Sequence, residues 1–232
     1  MSRMKIIDVA ITVRDLTKAV QFYRDILLLP VKATPASAEV TIGSSRLTLT
    51  TGDGFDGAHH LAFGILPSEF DMAHEWLACR VPLLQADGSE IILGSDEWKS
   101  RSLYFLGPED IILEFIARDA DASTISSKGK NPRMLSISEV GIGVENVLDT
   151  VATLSEEMAI PNFYDLSSTF ASMGSHDGLL IVVQQDRFWF PNKVSKPARG
   201  PLTVQTESSD QIESPARKSR VNLSSSISIV SA

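Results

Sequence analysis

The sequence has 232 residues, of which 43% are hydrophobic and 22% charged, as is typical of a globular protein. Its net charge of −8 argues against a nucleic-acid or anionic-membrane partner, because both require a basic surface. Cys79 is the one cysteine, which excludes an intrachain disulfide and a cysteine-rich zinc site. With only four histidines in the chain, any metal site must also use carboxylates.

The N-terminal apolar run is short and ends at Arg14, so we do not expect a signal peptide. No stretch approaches 18 uninterrupted apolar residues, which predicts that no segment spans a membrane. These observations predict a cytoplasmic protein.

Three segments share one pattern, in which a strand of period two is followed by a helix and then by short strands. The opening strands are predicted at residues 7–13, 60–65 and 139–144, and the helices near 15–28, 68–79 and 146–158. The pattern predicts an α+β fold built from repeated βαβββ modules.

The predicted organisation places two modules in residues 1–118, with module one at 5–52 and module two at 58–118. The polar segment 119–134 is interpreted as a linker, and residues 135–206 as module three. Residues 207–232 are rich in serine and poor in aromatic residues, which predicts a disordered tail.

The period of two also assigns side chains to the faces of the sheet. In module two it places His60, Ala62 and Gly64 opposite the helix. Glu114 falls on the same face of the closing strand of that module. A carboxylate among apolar neighbours is costly unless it meets a cation, a donor or water. Small residues on a concave face also leave space for a ligand.

The runs IDVAITVRDLTKAVQFYRDIL, HHLAFGI and YFLGPEDIILEFIARD resemble the vicinal oxygen chelate superfamily. This superfamily includes glyoxalase I, extradiol ring-cleaving dioxygenases and bleomycin-resistance proteins. The resemblance covers residues 5–118 and is nearest to glyoxalase-like and ring-cleaving-dioxygenase-like bacterial proteins. It implies that modules one and two pair into one cupped mixed sheet with helices outside, and that module three is a further single module. It implies the fold more firmly than the activity, since one fold hosts many chemistries.

In metal-dependent members the ligands lie on the opening and closing strands of each module. The resemblance therefore implies a metal site of Asp8, His60 and Glu114, with Thr48 in a fourth position that supplies no ligand. Such an oxygen-rich site suits Fe(II) or Mn(II). The matching positions in module three are Glu139 and Ile181, and we expect that module to be non-catalytic. It is expected to cover an edge, form a lid or support a homodimer.

The expected substrate pocket combines residues from both of the first two modules. Its members are Ala10, Thr12, Arg46, Thr48, Ala62, Trp98 and Ser102. Tyr104 is a candidate acid–base or hydrogen-bonding group. Ordinary core packing remains an alternative interpretation for Trp98 and Tyr104.

Three functions remain open from the sequence. The first is a metal-dependent dioxygenase-like, lyase or isomerase enzyme, and the sequence leans towards an enzyme of this kind. The second is a metal-free protein that binds or sequesters a small molecule, as in bleomycin resistance. The third is a catalytically inactive scaffold or dimerisation module. The first two use a small-molecule ligand, aromatic or with adjacent oxygens.

Overall fold

The computed structural model describes residues 3–122, 129–191, 193–209, 217–224 and 226–231. Module one contains β1 (Arg3–Val13), α1 (Leu16–Gln21), a π-helical turn (Phe22–Ile26), β2 (Val31–Ala33), β3 (Ser37–Ile42) and β4 (Ser45–Thr51). Module two contains β5 (His60–Ile65), α2 (Phe70–Ala78), β6 (Leu83–Leu84), β7 (Ile92–Leu93), β8 (Ser100–Leu106) and β9 (Ile112–Arg118).

Module three contains β10 (Met134–Val144), α3 (Val147–Met158), β11 (Asn162–Leu166), β12 (Phe170–Ser175) and β13 (Gly178–Gln184). It is followed by β14 (Leu202–Ser209), β15 (Arg217–Ser224) and β16 (Ser226–Ser231). The repeated βαβββ architecture is confirmed. Short turns of 3₁₀ helix lie at Pro67–Glu69, Pro108–Asp110 and Asp119–Asp121.

Helix boundaries follow from the capping residues. The side chain of Asp15 accepts a hydrogen bond from the backbone of Lys18 at the start of α1. Asn146 accepts from the backbone of Leu148 and Asp149 at the start of α3. These side chains satisfy amide groups that have no partner within the helix. Ala159, in the left-handed conformation, ends α3.

The strands form two mixed sheets. The first sheet has the order β16-β15-β14-β1-β4-β3-β2. The second has the order β11-β12-β13-β10-β5-β9-β8-β6, with β7 also paired to β8. Modules two and three are therefore the pair that shares a sheet, through antiparallel pairing of β5 with β10.

This topology corrects the expectation that modules one and two pair. The opening strand of module one, β1, instead pairs antiparallel with β14. The strand pattern within a module is local, whereas the choice of partner module depends on which sheet edges meet. Residues 119–122 and 129–133 of the expected linker precede β10, and residues 123–128 lie outside the described residues.

The expectation of a disordered tail is also corrected for the described residues. Strands β15 and β16 extend the first sheet beyond β14, and Val221 of β15 is buried. Backbone hydrogen bonding to a sheet edge supports a strand of low hydrophobicity, and composition does not report such an edge. The remaining parts of the tail, residues 210–216, 225 and 232, lie outside the described residues.

The two sheets pack through a common hydrophobic core to which all three modules contribute. Ser45 of β4 links them, because its hydroxyl donates to the carbonyl of Ile6 at 2.6 Å and accepts from the amide of Ile137 at 2.9 Å. Among the helices in the described part of the chain, none has the length and hydropathy that a membrane span requires.

Candidate metal centre

The concave face of the second sheet brings three ionisable side chains together around a small residue. Ala62 of β5 lies opposite Glu139 of β10 on one side and opposite Glu114 of β9 on the other. Residues opposite each other in a sheet share a face, and so do residues two apart along a strand. His60 therefore projects from the same face as both carboxylates, and the methyl group of Ala62 leaves space between them.

The geometry of these three side chains fits a metal ion. The His60 Nε2 atom lies 3.6 Å from Glu114 Oε2 and 3.9 Å from Glu139 Oε2. One ligand atom from each residue lies within 4.8 Å of the others, and all three residues are buried. Metal–ligand bonds near 2 Å place neighbouring ligand atoms about 3 to 4 Å apart.

Glu114 supplies the clearest sign of a missing partner. Its Oε2 atom is buried and makes no hydrogen bond within the described residues. Because a buried carboxylate oxygen without a partner is costly, a cation at this position would stabilise the site. The His/Glu/Glu donor set suits a divalent ion that accepts imidazole and carboxylate ligands.

The charges of the cluster act strongly on one another. Burial and the charge of Glu139 raise the pKa of Glu114 to about 7. Burial alone would lower the pKa of His60, but the neighbouring carboxylates of Glu139 and Glu114 raise it overall. Burial and the charge of Glu114 raise the pKa of Tyr104 well above its usual value, so its hydroxyl stays protonated at neutral pH.

Arg118, at the end of β9, places a positive charge beside Glu139. Its guanidinium donates hydrogen bonds to Glu139 and to the hydroxyl of Ser138. The side chain of Arg118 is 1% exposed, so this ion pair is shielded from water. Glu139 thus presents one oxygen to Arg118 and the other to His60.

A cavity of about 320 Å³ opens above the three side chains. Its volume lies at the lower end of the range, roughly 300–1,000 Å³, that holds small ligands. Most of its wall is aromatic or aliphatic, contributed by Ile92, Leu93, Trp98, Tyr104, Ile116, Phe170, Ile181, Val183, Phe188, Trp189 and Phe190. Ser100, Ser102 and Arg187 add polar groups.

The structure brings part of the expected site together. His60 and Glu114 lie in the cluster, and Tyr104, Trp98 and Ser102 line the cavity. Ala62 is fully buried between the two carboxylate-bearing strands.

Asp8 is not brought to this site, and its assignment as a ligand is corrected. It lies in the first sheet, where it accepts hydrogen bonds from Arg46 at 2.6 Å and from Thr48 at 3.2 Å. Ala10 and Thr12 lie on the same strand as Asp8. The four expected pocket residues of module one, Ala10, Thr12, Arg46 and Thr48, thus belong to the other sheet.

Glu139 takes the place that Asp8 was expected to fill. Asp8, His60 and Glu139 hold equivalent positions on the opening strands of their modules. Two residues further along, these strands lie opposite Thr48, Glu114 and Ile181, respectively. The repeat identified Glu139 as the matching position, but the expected module pairing placed it outside the site. Arg118 carried no signal in the sequence, because its partners lie on a strand from another module.

The comparisons with known proteins agree with this fold. No sequence-family model and no curated protein sequence matches the chain. A mutant of glyoxalase I from Zea mays aligns with a TM-score of 0.59 at 12% identity, over 95% of this chain and 89% of the other. A "putative dioxygenase" from Bacillus subtilis aligns with a TM-score of 0.57 at 14% identity, over 84% of this chain and 67% of the other.

The protein therefore shares its fold with glyoxalase I and with this Bacillus subtilis protein. At these identities the similarity concerns the fold, so the function has to be argued from the site itself.

Proposed function

We propose that the protein is a divalent-metal enzyme that acts on a small substrate with two adjacent oxygen atoms. His60, Glu114 and Glu139 would hold the metal. The observation that carries this proposal is the buried Oε2 atom of Glu114, which lies 3.6 Å from the Nε2 atom of His60 and has no hydrogen-bond partner among the residues that the structure describes. Fe(II) and Mn(II) suit this donor set, and such an ion supplies Lewis-acid polarisation and orients the substrate oxygens.

The residues around the ion would perform distinct tasks. Tyr104 lies opposite Glu114 in the sheet and its hydroxyl keeps its proton at neutral pH, so it is suited to donate to a substrate oxygen. The apolar wall lowers the local polarity, which strengthens electrostatic interactions within the cavity. Ile181 holds the position in module three that Glu114 holds in module two, but it supplies no ligand and leaves that side of the site apolar. Ring cleavage of the extradiol type and a related lyase or isomerase step are the reactions that this arrangement favours.

A metal-free binding protein is the second candidate. The ion pair between Arg118 and Glu139 favours it, because the guanidinium already neutralises one of the two buried carboxylates. In that case the cavity would bind its ligand without a chemical step.

Metal analysis of the purified protein after anaerobic loading with Fe(II) or Mn(II) separates the two candidates. We expect stoichiometric metal in the wild type and its loss in His60→Ala and Glu114→Gln. Asp8→Asn is the matched control, since Asp8 holds the register position of His60 in module one but lies outside the cluster. Circular dichroism verifies that each variant is folded. A folded wild-type protein that takes up no metal would reject the enzyme proposal and leave the binding protein.

A further inference from the structure

Half of the Phe, Tyr and Trp residues that line the cavity come from one segment, residues 185–191, which follows β13. Trp189 fixes this segment, because its indole donates to the carbonyl of Ala58 at 2.8 Å and its amide donates to the carbonyl of Ser195 at 2.8 Å. The indole lies beside the imidazole of His60, with 5.4 Å between ring centres. Gly141 has no side chain and so leaves room for both rings.

The two neighbours of Trp189 shape the mouth of the cavity. Phe188 and Phe190 line it while remaining 49% and 44% exposed. The ring of Phe190 meets the ring of Tyr104 edge to face at 5.6 Å. Aromatic rings arranged in this way favour a flat, apolar ligand body, because rings stack on and edge against one another.

Arg187 lies in the same segment and contributes a cation to the cavity wall. Its guanidinium lies 5.1 Å from the centre of the Phe170 ring, which also lines the cavity. The adjacent Asp186 is engaged by Lys196 at 3.0 Å and by Arg199 at 3.9 Å. Within the described residues, Arg187 itself has no carboxylate at ion-pair distance, although the chain is acidic overall.

The charges around the cavity favour an anion. The carboxylates are Glu114 and Glu139, and Arg118 is bonded to the second of them. Together with Arg187, a divalent ion at His60 would give the cavity a net positive charge. A guanidinium recognises a carboxylate through two parallel hydrogen bonds.

We propose that the substrate is a single-ring aromatic carboxylate, with its ring between the aromatic walls and its carboxylate at Arg187. The inference rests on the proposed function, because the adjacent oxygens of the same molecule would face the metal. The cavity of about 320 Å³ is small, which favours one ring with a short side chain.

Three catechols that differ in side-chain charge test this proposal on the Mn(II)-loaded protein. They are 3-(3,4-dihydroxyphenyl)propanoate, neutral 4-ethylcatechol and cationic dopamine, each titrated anaerobically by calorimetry. We expect the anion to bind about tenfold more tightly than the neutral probe, and dopamine to bind most weakly. Arg187→Gln should weaken the anion about five- to tenfold and leave the neutral probe unchanged. Arg199→Gln is the matched control, because Arg199 pairs with Asp186 and does not line the cavity.

A second probe pair tests the carboxylate site without metal. On chelator-treated protein, 3-phenylpropanoate should bind more tightly than 3-phenylpropan-1-ol, and Arg187→Gln should abolish that preference. Equal affinities within both probe sets would overturn the inference, and normal metal uptake would then leave the proposed function intact. Absence of metal uptake with a preserved preference for the anion would reject the metal enzyme and keep the carboxylate site.

Discussion

Buried Arg118 donates a hydrogen bond to Glu139 across the width of a strand, since β5 lies between the strands that carry them. The pair thus joins module two to module three at the proposed metal centre. It also determines how much negative charge the two glutamates present to a cation.

Arg118→Gln should destabilise the metal-free protein by about 3–5 kcal/mol, because removing one partner leaves the other charge buried and uncompensated. Urea unfolding at neutral pH, in the presence of a chelator, measures this loss. Adding Glu139→Gln to the same chain should restore much of the stability, since both charges are then gone. A single variant as stable as the wild type would show that the ion pair contributes nothing to folding.

The metal-free protein should lose stability as the pH rises from about 4.5 towards 7. On folding, burial and the charge of Glu139 raise the pKa of Glu114 from 4.5 to about 7, so the folded chain holds this proton more tightly than the unfolded chain. Stability from such a group is fully present below the unfolded pKa and is lost as the pH passes the folded pKa. The raised pKa of His60 acts in the same direction.

The free energy of unfolding at pH 5 and pH 8, in wild type and in Glu114→Gln, isolates this effect, because glutamine remains neutral. The wild type should decline relative to the variant across this interval. Metal affinity should increase over the same interval, since the ligands must be deprotonated to bind. A constant difference between the two proteins would contradict the assignment.

Ala62→Val should impair metal binding. The residue lies directly between Glu114 and Glu139 in the sheet, so two added methyl groups would occupy the space between the carboxylates. Mn(II) titration monitored by electron paramagnetic resonance measures the loss. Ala10→Val is the control, because Ala10 holds the equivalent register position opposite Thr48 in module one. Equal metal affinity in the two variants would argue against a metal position between the strands.

Gly141→Ala should disturb the wall of the cavity. A β-carbon at this position would come within 2.5 Å of the Trp189 ring and 2.9 Å of the His60 β-carbon. We expect a cost of about 1–3 kcal/mol, as for other overpacked interiors, together with a change in tryptophan fluorescence. Gly64→Ala on the same sheet is the control, since its nearest contact would be 3.5 Å, an ordinary distance. A similar thermal midpoint for both variants would refute the packing argument.

The sequence was sufficient for the module architecture and for two of the three side chains of the candidate metal centre. The strand period of two placed His60 and Glu114 on one face, because both residues belong to module two and their alternation is a local property of its strands. The identity of the third acidic group required knowledge of which modules pair. That choice depends on contacts between residues far apart in the chain, such as Ala62 with Glu139, which periodicity does not encode. The contact of Arg118 with Glu139 could not be predicted from the sequence for the same reason.

Because β14 and β15 extend the first sheet beside β1, we expect the two sheets to differ in how well they tolerate mutations. β14 pairs with β1 and β15 pairs with β14, and within the described residues these two strands bring no helix or acidic ligand to face Asp8. Under the proposed function, substitutions of polar residues around Asp8 in the first sheet should change stability and leave activity intact. The second sheet would then carry both folding and function, so random mutagenesis should find loss of activity with retained expression concentrated in modules two and three.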